Sequence, residues 1–298
     1  MTFREGLTSS SNRASRGGGG GRGGMIAGGG IGGLLIVLVA LFFGIDPGLL
    51  GGLTGGGSTY DTQEAPAPST DGEVICKTAE DANTNTECRL EWTAKSLDQV
   101  WTEQLPKQAG IEYEAPGLHL FNQTVSTACG QASSNTGPFF CPADRTAYFD
   151  ASFFSLLEQL GGSSDPFAQE YIVAHEFGHS IQQLEGTLGL SDYENPGADS
   201  NAVKIELQAD CYGGIWAHHA AQGEDAFLEP ITNEQVASAI QSTKAVGDDN
   251  IQKRSGGQVR PDQWTHGSSE QRTQAFLTGY ETGSMASCDF LERGVYQQ

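Results

Sequence analysis

Residues 168–184 combine an apolar helical stripe with three polar side chains that are costly to bury alone. The apolar residues recur at helical spacing, which predicts an amphipathic helix. His175 and His179 lie four residues apart and so share a second face of this helix, with Glu176 beside the first histidine. Two imidazoles one turn apart suit a single Zn²⁺ ion, at about 2.0–2.1 Å from each nitrogen. The pattern predicts one zinc site in which Glu176 acts on a zinc-activated water, and the alternative is a solvated helix face.

A zinc site that performs chemistry needs a third protein ligand and one open position. The local pattern His-Glu-x-x-His-x-x-Gly-x-x-His is not met, because Gln182 and Glu185 occupy its last two fixed positions. A second helix, predicted at residues 201–217, instead supplies Glu206 as the third ligand. Asp210, one turn later, would accept the free N–H of a ligand histidine. The neighbouring residues are small and apolar, which argues against a solvated acidic face.

A long apolar run occupies residues 25–45, and a bilayer core of about 30 Å takes about 20 such residues as a helix. Residues 1–24 carry four arginines and one glutamate, so the positive-inside rule places them in the cytoplasm. A cleaved signal peptide is the alternative, although the run is longer than usual and no A-x-A-like site follows it. We therefore expect a single-pass anchor in the cell membrane, with the N-terminus in the cytoplasm and the chain after residue 45 extracytoplasmic.

The distribution of glycine predicts the domain organisation. Twenty of the 41 glycines lie in the first 60 residues. Residues 1–24 are predicted to be a disordered basic tail, and residues 46–70 a flexible linker. Residues 71–298 are predicted to form one α+β domain, mostly helical with a small sheet, after the transmembrane helix. The net charge of −21 argues against a nucleic-acid partner.

All six cysteines follow the apolar run, which favours disulfides in an oxidising compartment. The spacing favours two local pairs and one long-range pair, although six cysteines allow fifteen connectivities. There is no C-x-x-C motif, which argues against a cysteine zinc site. The favoured pairs are Cys76 with Cys88, Cys129 with Cys141, and Cys211 with Cys288.

Six motifs between about residues 70 and 292 resemble the bacterial putative neutral zinc metallopeptidase family. A Glu-x-x-x-Asp pattern after His-Glu-x-x-His is also the gluzincin arrangement. The resemblance implies a zincin-like zinc peptidase, often with an N-terminal anchor, and implies no known substrate. The motifs are Thr127-Ala-Cys-Gly, Gly137-Pro-Phe-Phe-Cys-Pro-Ala-Asp, Ala147-Tyr-Phe-Asp, Ala174-His-Glu-Phe-Gly-His-Ser-Ile-Gln, Glu206-Leu-Gln-Ala-Asp-Cys-Tyr and Thr265-His-Gly-Ser-Ser-Glu-Gln-Arg.

The last of these motifs is similar to the Thr-His-Pro…Arg segment of membrane-embedded gluzincin proteases, with Gly267 in place of proline. By that resemblance His266 would donate to the oxyanion of the tetrahedral intermediate, and Arg272 would orient the loop or a carboxylate. The alternative for His266 is a capping or loop histidine. The gluzincin resemblance also places a short strand, predicted at residues 145–150, at a sheet edge where it could pair with an extended peptide.

These features predict a membrane-anchored zinc-dependent peptidase that acts on a peptide or protein substrate, with Glu176 as the general base. Two other functions remain open at this point. One is a zinc-binding envelope scaffold without catalysis, against which the intact Glu176 argues. The other is a zinc hydrolase of a non-peptide envelope polymer, which the motif alone does not distinguish from a peptidase.

Overall fold

The computed structural model describes residues 2–17 and 76–297, and these form a mostly helical α+β fold with two small sheets. The prediction of a helical α+β architecture is confirmed. The helices are α1 (Ala79–Thr84), α2 (Thr86–Ala109), α3 (Phe153–Gln159), α4 (Pro166–Glu185), α5 (Asn201–His219), α6 (Asn233–Ala245), α7 (Asp248–Arg254) and α8 (Ser269–Thr282). The strands are β1 (Ser15–Arg16), β2 (Gly117–Phe121), β3 (Thr124–Thr127), β4 (Gly130–Ser133), β5 (Phe139–Cys141) and β6 (Thr146–Asp150).

The centre of the fold is the pair α4 and α5, which pack against each other and against α2, α6 and α8. Helix α4 begins with Asp165, whose side chain accepts from the backbone of Phe167, and Pro166 at the first helical position has the φ angle a helix needs. It ends at Gly186, where the left-handed conformation (φ 73°) favours glycine. Both helices are buried over most of their circumference, so they form the core of the domain.

The main sheet has the strand order β1-β2-β6-β5. Strands β1, β2 and β6 run parallel, and β5 runs antiparallel to β6. Strands β3 and β4 form a separate antiparallel hairpin. The strand expected at residues 145–150 is present as β6, but its placement at the sheet edge is wrong, because β2 and β5 flank it. The edge beside α4 is β5, whose contacts with α4 bring this edge to the central helices.

The N-terminal segment, residues 2–17, packs onto the domain. Phe3 is fully buried, and β1 adds to the sheet beside β2. Arg13 pairs with Asp98 at 2.6 Å, and Arg16 pairs with the buried Glu91 at 3.1 Å, both carboxylates lying on α2. The prediction of a disordered tail is therefore wrong for residues 2–17, since its arginines find acceptors on distant parts of the chain.

This packing also corrects the predicted localisation. Residues 2–17 and the domain contact each other directly, so a bilayer cannot separate a cytoplasmic N-terminus from an extracytoplasmic domain. Within residues 2–17 and 76–297 no helix has the length and apolar character that a membrane crossing requires. The predicted anchor at residues 25–45 and the predicted linker at residues 46–70 lie outside the described residues. The prediction of a single-pass protein with its two parts on opposite sides of a membrane is wrong.

A buried carboxyl group lies beneath the first residues of this segment. Glu170, on α4, is fully buried, and neither carboxylate oxygen has a hydrogen-bond partner of good geometry among the described residues. Burial raises the pKa of Glu170 to about 8, although the Thr2 hydroxyl and Arg89 lower it. Most of the Glu170 side chains are therefore protonated at neutral pH, and the residue carries little charge there.

The three disulfides of the structure have the connectivity that the spacing favoured. Two of them close local loops. The third, Cys211–Cys288, joins α5 to residues 288–297, which we call the C-terminal segment. This disulfide ties the chain beyond α8 to the helix that carries Glu206.

Candidate metal centre

Helices α4 and α5 bring three ligand atoms to one point. The Nε2 atoms of His175 and His179 lie 3.3 Å and 3.7 Å from Oε2 of Glu206. The three ligand atoms all lie within 4.8 Å of one another. Tetrahedral zinc with bonds of about 2.0–2.1 Å holds its ligand atoms about 3.3 Å apart. The two nitrogens and one carboxylate oxygen therefore suit a zinc ion both in chemistry and in spacing.

The second nitrogen of each histidine ring has a partner that sets its protonation. His175 Nδ1 donates to Oδ1 of Asp210 at 2.8 Å, and His179 Nδ1 donates to Oε1 of Gln182 at the same distance. With the proton on Nδ1, Nε2 of each neutral ring is left to bind a metal ion beside Glu206. Both histidines are thus oriented for metal binding by residues of their own two helices.

Asp210 is fully buried and accepts from three different side chains. Besides His175, these are the Tyr171 hydroxyl and Arg272, whose Nε and Nη2 lie 2.7 Å and 2.9 Å from the two carboxylate oxygens. Burial raises the pKa of Asp210, but Arg272 and His175 together outweigh burial and lower the pKa from 3.8 to about 2. Arg272 therefore fixes the Asp210 carboxylate in its ionised form, and this carboxylate orients the His175 ring.

A glycine next to a candidate metal ligand determines how closely α4 and α5 approach each other. A Cβ atom on Gly178 would lie 2.9 Å from both Cα and the carbonyl oxygen of Ala209 on α5. Real Cβ atoms do not approach backbone that closely. Gly178 immediately precedes His179, and Ala209 immediately precedes Asp210. The missing side chain thus lets both helices come close enough for their ligands to converge.

Replacing Gly178 with alanine is expected to push α5 away from α4 and to lower the free energy of unfolding by about 1–3 kcal/mol. Zinc affinity should fall as well, because His179 and Glu206 would move apart. Denaturant unfolding and chelator competition measure the two effects. Alanine at Gly213, where a Cβ would meet no atom closer than 3.6 Å, is the matched control on the opposing helix. Equal zinc affinity in the Gly178 and Gly213 variants would contradict this account.

His266 lies in a loop that one carboxylate holds in place. The backbone N–H groups of Thr265, His266 and Gly267 donate to Oδ2 of Asp248 at 2.9, 2.8 and 3.0 Å. Gly267 has a φ of +90°, which proline cannot adopt, and its N–H is one of the three donors. This loop geometry explains why glycine replaces the proline of the resembled motif. The loop places His266 at the cavity that Glu176 also lines.

The cavity beside the ligands has a volume of about 130 Å³. Apart from the metal ligands, Glu176, His266 and Arg272, the side chains that line it are mostly apolar, and several are aromatic. Among them are Phe139, Phe140, Phe153, Leu160, Ile172 and Val246.

Two residues of this region were not predicted from the sequence. Tyr193, in the loop between α4 and α5, lines the cavity, and burial, with Glu206 nearby, raises the pKa of its hydroxyl. The only signal for Tyr193 is that it is the one aromatic residue in the loop between the two helices that carry the candidate ligands. The role of Asp248 cannot be predicted from the sequence, because the backbone turn whose N–H groups it accepts from lies 17–19 residues further along the chain.

A buried His-Glu-x-x-His helix, packed against a second helix that presents a glutamate to the same point, is typical of zinc metallopeptidases. The model of the putative neutral zinc metallopeptidase family matches residues 3–291, which is nearly the whole chain, and the chain belongs to that family. The predicted resemblance to this family is confirmed.

The chain is also similar to curated proteins that lack an assigned function. The uncharacterized protein Rv2575 of Mycobacterium tuberculosis (strain H37Rv) is 47% identical over 295 residues, which cover 97% of each chain. The uncharacterized protein YpfJ of Escherichia coli (strain K12) is 37% identical over 205 residues, 67% of this chain and 69% of that protein. No solved structure matches this chain at a significant level.

Proposed function

We propose that this protein is a zinc-dependent peptidase of the gluzincin type. The observation that carries the proposal is that His175, His179 and Glu206 converge to metal-ligand spacing on the same cavity that Glu176 lines. The ligands come from two helices that the core fixes in position. Glu176 has no place among the ligands, so it is available for chemistry.

The reaction follows from the groups that surround the cavity. Zinc held by the three ligands would supply Lewis acidity, which makes a water molecule acidic near neutral pH and polarises a carbonyl. Glu176 accepts a proton from the attacking water as its oxygen bonds to the carbonyl carbon, and passes it to the amine as the C–N bond breaks. Burial raises the pKa of Glu176, and His175 and His179 lower it. Burial thus makes this carboxylate a stronger base than an exposed glutamate.

His266 has the second role in this reaction. Apart from the two ligand histidines, the basic side chains among the described lining residues are His266 and Arg272, and Arg272 is engaged by Asp210. We assign His266 to donate a hydrogen bond to the substrate oxygen as negative charge develops on it. Asp248 holds the loop of His266, so this donor would need little reorganisation during the reaction.

The substrate class follows from the shape and polarity of the site. Among the described residues, strand β5 pairs with β6 on one side and with no strand on the other, so its outer edge can accept an extended peptide backbone. Phe139 and Phe140 of β5 also line the cavity beside the metal ligands. An apolar cavity next to a strand edge suits a peptide with a large apolar side chain beside the cleaved bond. It offers few polar groups for a carbohydrate polymer.

The test is metal analysis beside hydrolysis of a mixed peptide pool, with the full chain purified without chelator. Residues 2–17 must be retained, because Phe3 and β1 belong to the folded domain. One zinc per chain, with cleavage that chelation stops and zinc restores, is expected. Cleavage sites should be enriched in Phe, Leu and other large apolar residues. A protein that binds one zinc but cleaves no peptide would reject the peptidase, and a folded protein without zinc would reject the metal site. The predicted lack of nucleic-acid binding can be measured on the same sample.

A further inference from the structure

A chain of buried hydrogen bonds leads away from the ligand His179. Its Nδ1–H donates to Oε1 of Gln182. Nε2 of Gln182 in turn donates to the carbonyl of Ile205 at 2.7 Å and to Oε1 of Gln208 at 3.1 Å. Nε2 of Gln208 donates to the carbonyl of Cys288 at 3.1 Å and to the Tyr296 hydroxyl at 3.2 Å. Both glutamines are fully buried, and every polar atom of their side chains has a partner.

The orientation of both amides is determined by groups that can only accept. The carbonyls of Ile205 and Cys288 each require an N–H, so each carbonyl faces the NH₂ side of its glutamine. Oε1 of Gln182 is therefore left for His179, and Oε1 of Gln208 is left for Gln182. All the bonds in the chain run in one direction, away from the metal ligand. Such aligned hydrogen bonds polarise and strengthen one another.

The far end of the chain lies in the C-terminal segment. The Tyr296 hydroxyl lies 3.1 Å from the Tyr212 hydroxyl, which donates to Oε2 of Glu185 at 2.8 Å. Either hydroxyl of the Tyr212–Tyr296 pair can be the donor, and this pair joins the end of the chain to Glu185. The segment is attached at both ends, by the Cys211–Cys288 disulfide and by the Gln297 N–H, which donates to the carbonyl of Gln108 at 2.8 Å.

We propose that Gln182 and Gln208 are positioning residues through which the C-terminal segment orients the zinc ligand His179. His175 has the carboxylate of Asp210 as its partner, whereas His179 depends on the amide of Gln182, which the Ile205 carbonyl orients and Gln208 holds from its other side. The contacts of Gln208 with Cys288 and Tyr296 thus help to fix the position of the amide that orients His179. The proposal rests on zinc binding by the proposed peptidase, and it adds the C-terminal segment to the elements that determine metal affinity.

The experiment compares three substitutions of buried glutamine by methionine, which has nearly the same volume. Gln182→Met removes the acceptor of His179, and Gln208→Met removes the link to the C-terminal segment. Gln169→Met is the matched control, because Gln169 is also buried on α4 but bonds Arg89 instead of a metal ligand. The zinc dissociation constant is measured by chelator competition, and the visible spectrum of the cobalt-substituted protein reports the ligand geometry. Thermal unfolding of the metal-free proteins measures the structural effect of each change.

All three variants are expected to lose similar stability in the metal-free state, because each loses buried hydrogen bonds. Zinc affinity should fall about 10–100-fold in Gln182→Met, which is the usual effect of losing an outer-shell partner of a ligand. Gln208→Met should lose less zinc affinity than Gln182→Met and should alter the cobalt spectrum. Gln169→Met should change neither the zinc affinity nor the cobalt spectrum. Tyr296→Phe, which removes one hydroxyl, should change affinity in the same direction.

The outcomes separate this proposal from the proposed function. If Gln208→Met and Gln169→Met bind zinc equally well, with unaltered cobalt spectra, the link to the C-terminal segment is rejected while the peptidase stands. If the unsubstituted protein binds no zinc, the proposed function itself fails. If Gln208→Met does not fold, Tyr296→Phe provides the same comparison with a smaller change, and an affinity equal to the unsubstituted protein would reject the proposal.

Discussion

Replacing Glu176 with glutamine is expected to lower kcat/KM for peptide hydrolysis by about 10²–10⁴-fold, the range for removal of a general base. Glutamine has almost the same shape but accepts no proton from water at neutral pH. The ligands His175, His179 and Glu206 are unchanged, so one zinc should remain bound. Kinetics on a peptide identified from the mixed pool, with metal analysis of the same sample, measures both quantities.

Glu170→Gln is the matched control for this variant, because it makes the same change on the same helix away from the cavity. The pKa of Glu170 is raised to about 8, so the amide replaces a group that is mostly uncharged at pH 7. Its hydrolysis rate should equal that of the unsubstituted protein. A zinc-loaded Glu176→Gln protein that hydrolyses peptides as fast as this control would remove Glu176 from the reaction.

Replacing Asp210 with asparagine is expected to lower the free energy of unfolding by about 3–5 kcal/mol, because it leaves the buried guanidinium of Arg272 without its counter-charge. Zinc affinity should fall about 10–100-fold, since His175 loses a charged partner. Denaturant unfolding of the metal-free protein measures the first effect, and chelator competition measures the second.

The pH dependence of this variant has a definite sign. The pKa of Asp210 is lowered from its ordinary value near 3.8 to about 2, so its ionised form stabilises the folded state. That contribution is complete above about pH 4 and is lost as the pH falls through about 2. This part of the stability difference between the two proteins should therefore shrink below about pH 4. In the metal-free protein burial lowers the pKa of His175, but Asp210 outweighs this and raises it to about 10, so the difference should also shrink as the pH rises from about 6.5 to 10.

Asp98→Asn is the control for the Asp210 variant. Asp98 also pairs with an arginine through two nitrogens, but both partners are partly exposed, with side-chain exposures of 24% for Asp98 and 16% for Arg13. Pairs near the surface contribute about 0–1 kcal/mol, so the loss should be much smaller. Zinc affinity should not change. Equal losses of stability in the two variants would show that burial of Arg272 has no special cost.

The sequence predicts which side chains meet at the candidate metal site, because the pattern within each helix is local. Two histidines four residues apart lie on one face of any helix, and Glu206 and Asp210 are one turn apart for the same reason. The structure places all four around one point, although the third ligand comes from a separate helix. The two helices are linked in the prediction by the requirement of a zinc site for a third ligand, because few carboxylates of this chain lie in apolar surroundings.

The N-terminal segment could not be predicted in the same way. Its serine, arginine and glycine content resembles that of disordered chains, and no local pattern shows that Arg13 and Arg16 have buried or partly buried partners on α2. The order of strands in a sheet is likewise a tertiary property, so the edge strand was misassigned to β6 rather than β5. Asp248 and Gln208 act through contacts with distant backbone, and residue type alone does not reveal such contacts.

The position of Phe3 has a consequence for how the chain folds. Its strand bridge is with Leu228, and the side chain of Arg4 reaches the carbonyl of Leu228 across 224 residues of sequence. During synthesis the first residues leave the ribosome long before their partners exist, and contacts so far apart in sequence form slowly. Docking of residues 2–17 is therefore expected to be a late step in folding. Bulky groups fused directly before Thr2, which is itself buried, should slow that step.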